Sequence, residues 1–331
     1  MAREGWFVQK VSCNGQDIDL AMVERCTYIE TLDLSGPKLI MVLHDQDSII
    51  RDDMGVSPGS VLDVTFADYF HDDGDELIDR FTVLTLPDRG DTISINAMQS
   101  DVWAMKSPVK RPVVFSRKPV SSILRHFFPS CRITVDSFAA GNDCHVLPGE
   151  RPAKAIRQLS SEIGSRIYYL RRGVYAMRIG TLFAADPSFN LSHNDTSDPG
   201  KIDGYKIASY GRPNTEKLVS DSVDRKWCGW DMISGPMTSS KGGEHPAEWC
   251  GLSKQSALDN LSEIPKPEVD IVLAGGIGKM RPGLSVGLSW YQDRIDSPMN
   301  ESLPEKAVIG TCAHHYQAQK YITRLKMVIP R

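Results

Sequence analysis

The amino-acid sequence predicts a β-rich α+β fold, in which a small α+β domain is inserted between two β-domains. Three observations lead to this prediction. Short strand-like runs separated by Gly and Pro fill the N-terminal third of the chain and return near its C-terminus. Between them, the apolar residues switch to helical spacing. The length of 331 residues suits two or three domains.

The first β-domain is predicted over residues 1–105. Residues 28–34 alternate in part between apolar and polar side chains, and residues 38–44 form a more continuous apolar run. The Ser-Gly-Pro sequence between these two runs predicts an antiparallel hairpin. Three further strands are predicted, over residues 61–66, 80–86 and 92–98.

The α+β domain is predicted over residues 106–200. One helix is expected near residues 121–128, between Pro119 and Pro129. Another is expected over 152–163, with Pro152 in its first turn and Gly164 as its C-cap. A strand at 131–135 and a hairpin at 166–179 complete this domain, and the polar stretch 186–200 is expected to be a linker or exposed loop.

The second β-domain is predicted over residues 201–331. Its strands are interrupted by an irregular insertion at about 212–267, in which only residues 254–264 have helical spacing. Strands are predicted over residues 204–210, 269–273, 284–290, 307–311 and 321–328.

A long-range repeat connects the two β-domains. Pro58 and Gly59 precede an alternating strand, and Pro282 and Gly283 do the same 224 residues later. An apolar strand comes before each pair and further strands follow it. Pro-Gly is a common turn sequence, so this repeat alone is weak evidence for duplicated domains. Together with the shared strand order it predicts two duplicated domains with equivalent turns at these four residues.

Composition excludes several classes of protein. With 41% hydrophobic and 24% charged residues, the chain is expected to fold. The net charge of −4 gives no overall basic footprint for nucleic-acid binding. The longest apolar run has five residues, at 39–43, so neither a membrane span nor a signal peptide is expected. The seven cysteines form no C-x-x-C pair, and reduced thiols are therefore expected.

Four motifs suggest chemistry but do not meet its requirements. The glycine-rich run 275–279 resembles a phosphate loop, but Met280 replaces the hydroxyl residue and Pro282 prevents a helix. The acidic run 72–76 lacks the ligand spacing of a calcium loop. His314 and His315 are adjacent, and on a strand they face opposite ways, so neither they nor Cys312 are expected to bind a metal.

Cysteine catalysis is the remaining possibility. A nucleophile and its base could come from Cys228, His245 and Cys250, but Trp227, Trp230 and Trp249 beside them indicate a packing role. We therefore predict no catalytic residue, no cofactor site and no metal site, and hence no enzyme.

Three passages give the chain a resemblance to a known family. It resembles the baseplate hub proteins of contractile-tailed bacteriophages, of the late-control protein D type, and the hub portion of type VI secretion spike proteins. The passages are Val-Ser-Pro-Gly-Ser-Val-Leu-Asp-Val at 56–64, the helix and aromatic hairpin at 149–179, and the closing strands at 280–286, 308–315 and 321–325.

This resemblance implies a structural protein with two tube-like β-barrel domains. Three chains would form a homotrimer that mimics the six subunits of a tail tube. The implied partners are the tail spike or tip protein, the tail tube protein, the baseplate wedge proteins and the tape-measure protein, with DNA only in transit. The implied location is the virion, after assembly in the host cytoplasm.

Two other functions stay open, a tail-associated cell-wall hydrolase and a monomeric carbohydrate-binding β-protein. If a channel for DNA is present, its wall should avoid basic residues, because each one that neutralises a phosphate adds affinity and slows transit. The expected lumen-facing residues are therefore acidic: Asp45, Asp47, Asp52, Asp53, Asp72, Asp73 and Asp75.

Overall fold

The chain forms two compact units in a computed structural model. The β unit comprises Met1–Trp103, Asp186–Ile207 and Val269–Val328, and the α+β unit comprises Ala104–Ala185, Ala208–Glu268 and Ile329–Arg331. Residues from both predicted β-domains thus share one unit, and their division at residues 105 and 200 stays a prediction. The structure describes residues 6–68, 76–138, 141–193, 201–207, 215–217, 228–231, 235–238, 268–273, 275–291, 303–318 and 320–329.

Strands dominate the described residues, which confirms the prediction of a β-rich fold. The four α-helices of these residues are α1 (Ser100–Ala104), α2 (Val120–Phe127), α3 (Pro152–Glu162) and α4 (Ile179–Ala184). The strands are β1 (Trp6–Cys13), β2 (Gln16–Asp17), β3 (Val23–Thr31), β4 (Lys38–His44), β5 (Val61–Asp68), β6 (Leu77–Thr85), β7 (Asp88–Arg89), β8 (Thr92–Gln99), β9 (Val113–Lys118), β10 (Arg132–Val135), β11 (Asn142–Val146), β12 (Ser165–Leu170), β13 (Gly173–Arg178), β14 (Phe189–His193), β15 (Lys201–Ile207), β16 (Thr215–Lys217), β17 (Cys228–Asp231), β18 (Gly235–Thr238), β19 (Glu268–Leu273), β20 (Ser285–Trp290), β21 (Lys306–Gln317) and β22 (Lys320–Val328).

A 14-stranded sheet forms the β unit. Its strands pair in the order β2-β1-β5-β6-β8-β4-β3-β21-β20-β14-β15-β19-β22, with β7 beside β8. Strand β22 also pairs with β21, so the last six strands of this path close into a barrel. We call β1 to β8 the N-terminal half and β14, β15 and β19 to β22 the C-terminal half.

The strands of the N-terminal half curl around an apolar core. Tyr28 on β3 lies 5.0 Å from Phe66 on β5 and 6.1 Å from Phe81 on β6, measured between ring centroids. Three strands separate β3 from β5 in the sheet, so a flat sheet could not bring these rings together. Leu39, Met41 and other apolar residues on alternate positions of the six longer strands fill the interior.

The predicted hairpin of the N-terminal half is confirmed as β3 and β4, although β3 ends earlier than predicted. Strand β3 pairs antiparallel with β4, and β6 pairs antiparallel with β8. Strand β3 covers Val23–Thr31 and ends before the predicted limit at residue 34. The Asp33 carboxylate accepts a hydrogen bond of 2.8 Å from the Ser35 amide, and this local turn ends the strand.

The α+β unit contains a three-stranded sheet in the order β10-β13-β12 and a two-stranded ribbon of β9 and β11. Both predicted helices are present, and α2 buries its apolar face through Val120, Ile123, Leu124 and Phe127. Helix α3 ends at Glu162, and Gly164 takes a positive φ of 61° after it.

Within the described ranges, no helix has both the length and the apolar character required to cross a bilayer. The predicted irregular insertion at 212–267 contains three described strands, β16, β17 and β18, which form a small antiparallel sheet. The helix predicted over 254–264 lies outside the described residues.

Candidate assembly site

The two halves of the β unit share one topology. Numbered along the chain, the six main strands of the N-terminal half are β1, β3, β4, β5, β6 and β8, and they pair in the order first-fourth-fifth-sixth-third-second. The strands of the C-terminal half, β14, β15, β19, β20, β21 and β22, pair in that same order. A strand order that departs this far from the chain order is a specific pattern, and it occurs here twice.

The first Pro-Gly turn leads into the fourth strand of its half. The Gly59 amide donates to the Val83 carbonyl at 2.8 Å, and the Val83 amide donates to the Ser60 carbonyl at 2.9 Å. Gly59 has a φ of 97°, which an L-residue seldom adopts.

The second Pro-Gly turn makes the same contacts. The Gly283 amide donates to the Ile309 carbonyl at 2.8 Å, and the Ile309 amide donates to the Leu284 carbonyl at 2.9 Å. Gly283 has a φ of 86°. Gly59 and Gly283, which follow Pro58 and Pro282, therefore make equivalent contacts: each lies two residues before a fourth strand and donates a hydrogen bond to a fifth.

The correspondence extends into the fifth and sixth strands, where each half has a shift of register at the same place. In the N-terminal half the shift lies between Val83 and Thr85, and in the C-terminal half it lies between Ile309 and Thr311. Val83 and Ile309 are the residues that contact the two Pro-Gly turns. A β-bulge at equivalent sites gives both halves a local bend beside the turn.

The halves differ in their first strand and in how they close. Strand β1 is antiparallel to β5, whereas β14 is parallel to β20. In the C-terminal half, the first and second strands pair through Ser192–Lys201 and His193–Ile202, and this closes the barrel. In the N-terminal half, the second strand, β3, pairs instead with β21 of the other half.

Replacing each turn glycine tests whether the two turns are energetically equivalent. We expect Gly59→Ala and Gly283→Ala to lower the free energy of unfolding by about 1–2 kcal/mol each, because both force an alanine into a left-handed conformation. A Cβ at Gly59 meets no atom within 4 Å, so the stability lost in Gly59→Ala reports backbone strain alone. Urea denaturation followed by tryptophan fluorescence measures both.

The matched control is Gly204→Ala on β15, where a Cβ also has open space and no positive φ is required. This variant should unfold at the wild-type urea concentration or above it. A loss at only one of the two turn glycines would contradict their equivalence.

The seam between the halves is the pairing of β3 with β21. Seven residue pairs join the two strands, from Thr31–Thr311 to Arg25–Gln317. The adjacent histidines of β21 face opposite sides of the sheet, as predicted: His314 is buried, whereas His315 is partly exposed and its Nδ1 lies 2.8 Å from the Thr27 hydroxyl. On the His314 side, the seam carries a buried polar cluster.

The seam cluster consists of Tyr28, Glu30, Cys312, His314 and Tyr321. The Tyr28 hydroxyl donates to Glu30 Oε1 at 3.0 Å, and His314 Nε2 lies 3.9 Å from Glu30 Oε2. His314 Nδ1 pairs with the Tyr321 hydroxyl, and Cys312 Sγ lies 3.3 Å from Nε2. Glu30 and Cys312 are fully buried and His314 is 4% exposed, so these contacts substitute for the water that the polar groups lose.

The glycine-rich run 275–279 packs over this cluster. A side chain at Gly276 would overlap the Tyr321 ring, and the Ile277 amide donates to the Thr323 hydroxyl at 2.9 Å. Met280 is fully buried, and its carbonyl oxygen lies 3.1 Å from His314 Nε2. These contacts give the run a structural role at the seam, which suits the sequence-based rejection of a phosphate loop.

Removal of the buried carboxylate tests the contribution of the seam cluster. We expect Glu30→Ala to lower the free energy of unfolding by about 1–3 kcal/mol, because it removes an acceptor from Tyr28 and a counter-group from His314 in a buried site. The control is Glu24→Ala on the same strand, where the side chain is only partly buried. Equal losses for the two variants in urea denaturation would show that the cluster contributes nothing specific.

The described residues contain no group of three or more His, Cys, Asp and Glu side chains placed to hold a metal ion. Burial raises the pKa of the Cys26 thiol to about 12. Burial, with a smaller contribution from the Glu162 charge, raises the pKa of Cys144 to about 12 as well. Both are therefore poor nucleophiles near neutral pH. His245, Cys250 and the side chain of Cys228 lie outside what the structure describes.

The acidic residues predicted to face a lumen are placed only in part. Asp47, Asp52 and Asp53 are exposed on the loop after β4. Asp45 is 6% exposed, and its carboxylate accepts a hydrogen bond of 3.1 Å from the Ile50 amide, so it stabilises that loop from within. Asp72, Asp73 and Asp75 lie outside the described residues.

Charge segregation between the units is a feature that the whole-chain composition conceals. The β unit contains 16 Lys and Arg and 29 Asp and Glu, a net charge of −13. The α+β unit contains 22 Lys and Arg and 13 Asp and Glu, a net charge of +9. Counting charge for each predicted domain would have found this, because the net value of −4 is the sum of two large opposite values.

Two solved structures that share this fold are tail proteins. A 43 kDa tail protein of prophage MuSo2 from Shewanella oneidensis is 11% identical, with a TM-score of 0.63 over 100% of this chain and 99% of that one. A tail protein from Neisseria meningitidis MC58 is 11% identical, with a TM-score of 0.59 over 98% and 96%. The likeness at this identity establishes the fold, which is that of β-rich phage tail proteins.

An E. coli component of the type VI secretion system, described as structurally similar to the T4 tail proteins gp27 and gp5, is 10% identical. Its TM-score is 0.53 over 98% of this chain and 77% of that one. No protein-family model matches the chain. The Transport and Golgi organization protein 1 homolog of Bos taurus is 33% identical over 95 residues, and the chain spans only 5% of its length.

Proposed function

We propose that this chain is a structural subunit of a phage-type tail, the central hub of a contractile baseplate. Three copies would form a ring that joins the tail tube to the central spike and leaves a channel for DNA. The observation that supports this proposal most strongly is the strand order that occurs twice within the β unit. Two equivalent β-domains in each of three chains give six subunits around one axis, the number needed to continue a six-fold tube.

Among the described residues, the sheet edge of the N-terminal half at β1 is largely uncovered, which supports a ring. Strand β2 covers only the last two residues of β1, through Ser12–Asp17 and Cys13–Gln16. The rest of β1 has β5 as its described neighbour on one side. An uncovered edge of this kind invites pairing with another strand, and a closed ring satisfies that edge without open-ended aggregation.

The proposed partners follow from the position of a hub. The spike or tip protein would bind one face and the first ring of tail tube protein the other, while wedge proteins surround the ring and the tape-measure protein and DNA occupy the channel. The assembled protein would belong to the virion, after assembly in the host cytoplasm. The role is mechanical, and we propose no catalysis.

Mass in solution separates this function from its alternatives. We expect sedimentation equilibrium to give about 110 kDa, three times the 36.8 kDa of the chain, because the ring requires three-fold symmetry. A stable monomer that binds glycans would instead indicate a carbohydrate-binding protein. Turnover of peptidoglycan, lost on substitution of one carboxylate, would indicate a cell-wall hydrolase.

We also propose that acidic loops face the channel. The proposal covers two loops. One contains the described residues Asp47, Asp52 and Asp53, and the other, known here only from its sequence, contains Asp72, Asp73 and Asp75. Acidic walls repel the phosphates of DNA and so prevent the salt-dependent retention that basic walls cause. A cryo-EM map of the ring is the test: we expect at least one of the two loops nearer to the three-fold axis than the β-strands. Both loops outside the strands would contradict the proposal.

A further inference from the structure

The positive charge of the α+β unit is concentrated in residues 104–185. This segment contains 14 Lys and Arg and only four Asp and Glu, a net charge of +10. Ten of the 14 cations are arginines. Whatever ion pairs form inside the segment, four carboxylates leave at least ten positive charges for other groups to balance. A surface of this kind favours an anionic partner.

Four arginines lie at one end of the three-stranded sheet, which we call the arginine end. Arg171 and Arg172 form the tip of the β12–β13 hairpin, where Leu170 pairs with Gly173. Arg132 begins the neighbouring strand, and its amide donates to the Arg172 carbonyl at 3.3 Å. Arg125 is in the last turn of α2, shortly before Arg132 in the chain. Arg125, Arg132 and Arg172 are exposed.

Two carboxylates of the same segment lie at the opposite end of this sheet. Asp136 follows the last residue of β10, and its oxygens accept hydrogen bonds from the amides of Ser137 and Arg178. Glu162 is buried at the end of α3, three residues before Ser165 pairs with Arg178. Strand β13 separates the two ends by about 17 Å at 3.3 Å per residue. Arg166 and Arg178 lie at the same end as the two carboxylates and offset them, so the net positive charge of the sheet is concentrated at the arginine end.

The hairpin tip keeps its arginines at a conformational cost. Arg171 has a φ of 47° and Arg172 a φ of 65°. Two left-handed residues in a two-residue loop define a type I′ turn, for which Asn-Gly is the favoured sequence. Each left-handed arginine costs about 1 kcal/mol relative to a residue that tolerates this conformation. Strained residues of this kind are concentrated at functional sites.

We infer that the arginine end of one copy binds the acidic β unit of a neighbouring copy. This inference rests on the proposed ring and specifies what holds its subunits in register. Charge complementarity is the reason for choosing this partner: the net charge is +10 in residues 104–185 and −13 in the β unit. Complementary charge at an interface steers association and fixes orientation.

A second copy fits these charges better than nucleic acid does. A ring brings several acidic β units close together, and their mutual repulsion requires positive charge between them. Nucleic acid would add further negative charge to an assembly whose chains each carry −4. The basic segment of each neighbour supplies the required cations without adding another component.

Crosslinking from the hairpin tip tests this arrangement directly. Arg172 is replaced by the photo-crosslinking residue p-benzoylphenylalanine, and rings are assembled from equal amounts of ¹⁴N- and ¹⁵N-labelled chains. After irradiation, we expect mixed-isotope crosslinked peptides that join position 172 to residues 1–103, 186–207 or 269–328. Rings whose crosslinks all remain within one chain, or join two α+β units, would overturn the inference. Failure of the wild-type chain to form any ring would instead count against the proposed function.

A charge variant provides the second measurement. Arg171→Asn with Arg172→Gly removes two charges and installs the favoured turn sequence, so the hairpin should fold at least as well as in the wild type. We expect the dissociation constant of the ring to rise about tenfold or more, and its dependence on NaCl to weaken. Lys206→Gln with Arg324→Gln removes the same charge from exposed positions of the β unit and should leave assembly unchanged or tighter.

Two results would overturn the inference while the ring survives. One is equal assembly of wild type and the hairpin variant at every NaCl concentration. The other is binding of a 30-base-pair DNA duplex by the wild type that the hairpin variant loses, which would make nucleic acid the partner of the arginine end.

Discussion

The pairing of β3 with β21 determines the architecture of the β unit, because the N-terminal half does not close on itself. Its second strand bonds along seven residues to the fifth strand of the other half, and the buried partners of Tyr28 and Glu30 come from both sides of that junction. Glu30 and His314 lie away from water and approach each other across the seam, with 3.9 Å between Oε2 and Nε2. The two halves therefore share one buried polar cluster as well as a continuous sheet.

Within the β unit, the two halves share one strand order and differ in their edge strands. The order of six strands, the Pro-Gly turn and the bulge beside it are common to both. The first strand runs in opposite directions relative to the fourth, and only the C-terminal half pairs its first strand with its second. One edge forms the seam, and another, at β1, is largely uncovered among the described residues. Duplicated cores with different edges suit a subunit that must contact itself and its neighbours.

Much of this fold could be predicted from local patterns. The β3–β4 hairpin, both long helices and the Pro-Gly turns have signals within a few residues, in alternation, capping and turn chemistry. The sequence patterns do not indicate β1 or the ribbon of β9 and β11, since these segments lack clear alternation. The expectation of a linker or exposed loop at 186–200 is wrong for β14, which is a strand of the barrel. The seam cluster could not be predicted from the sequence, because Glu30 and His314 are 284 positions apart and no periodicity indicates that they are in contact. The opposite charges of the units were readable, but only after the chain is divided in the right places.

The geometry of β21 has a mechanical consequence. This strand is 12 residues long and is bonded on one side to β3 through seven pairs and on the other to β22 through nine. Backbone hydrogen bonds in an antiparallel pair lie perpendicular to the strands. A force directed along β21 therefore loads all of these bonds in shear at once, and the halves resist sliding collectively. A force across the seam reaches the bonds one after another and opens it like a zipper. A machine that thrusts a tube would tolerate this protein best with β21 aligned to the direction of the load.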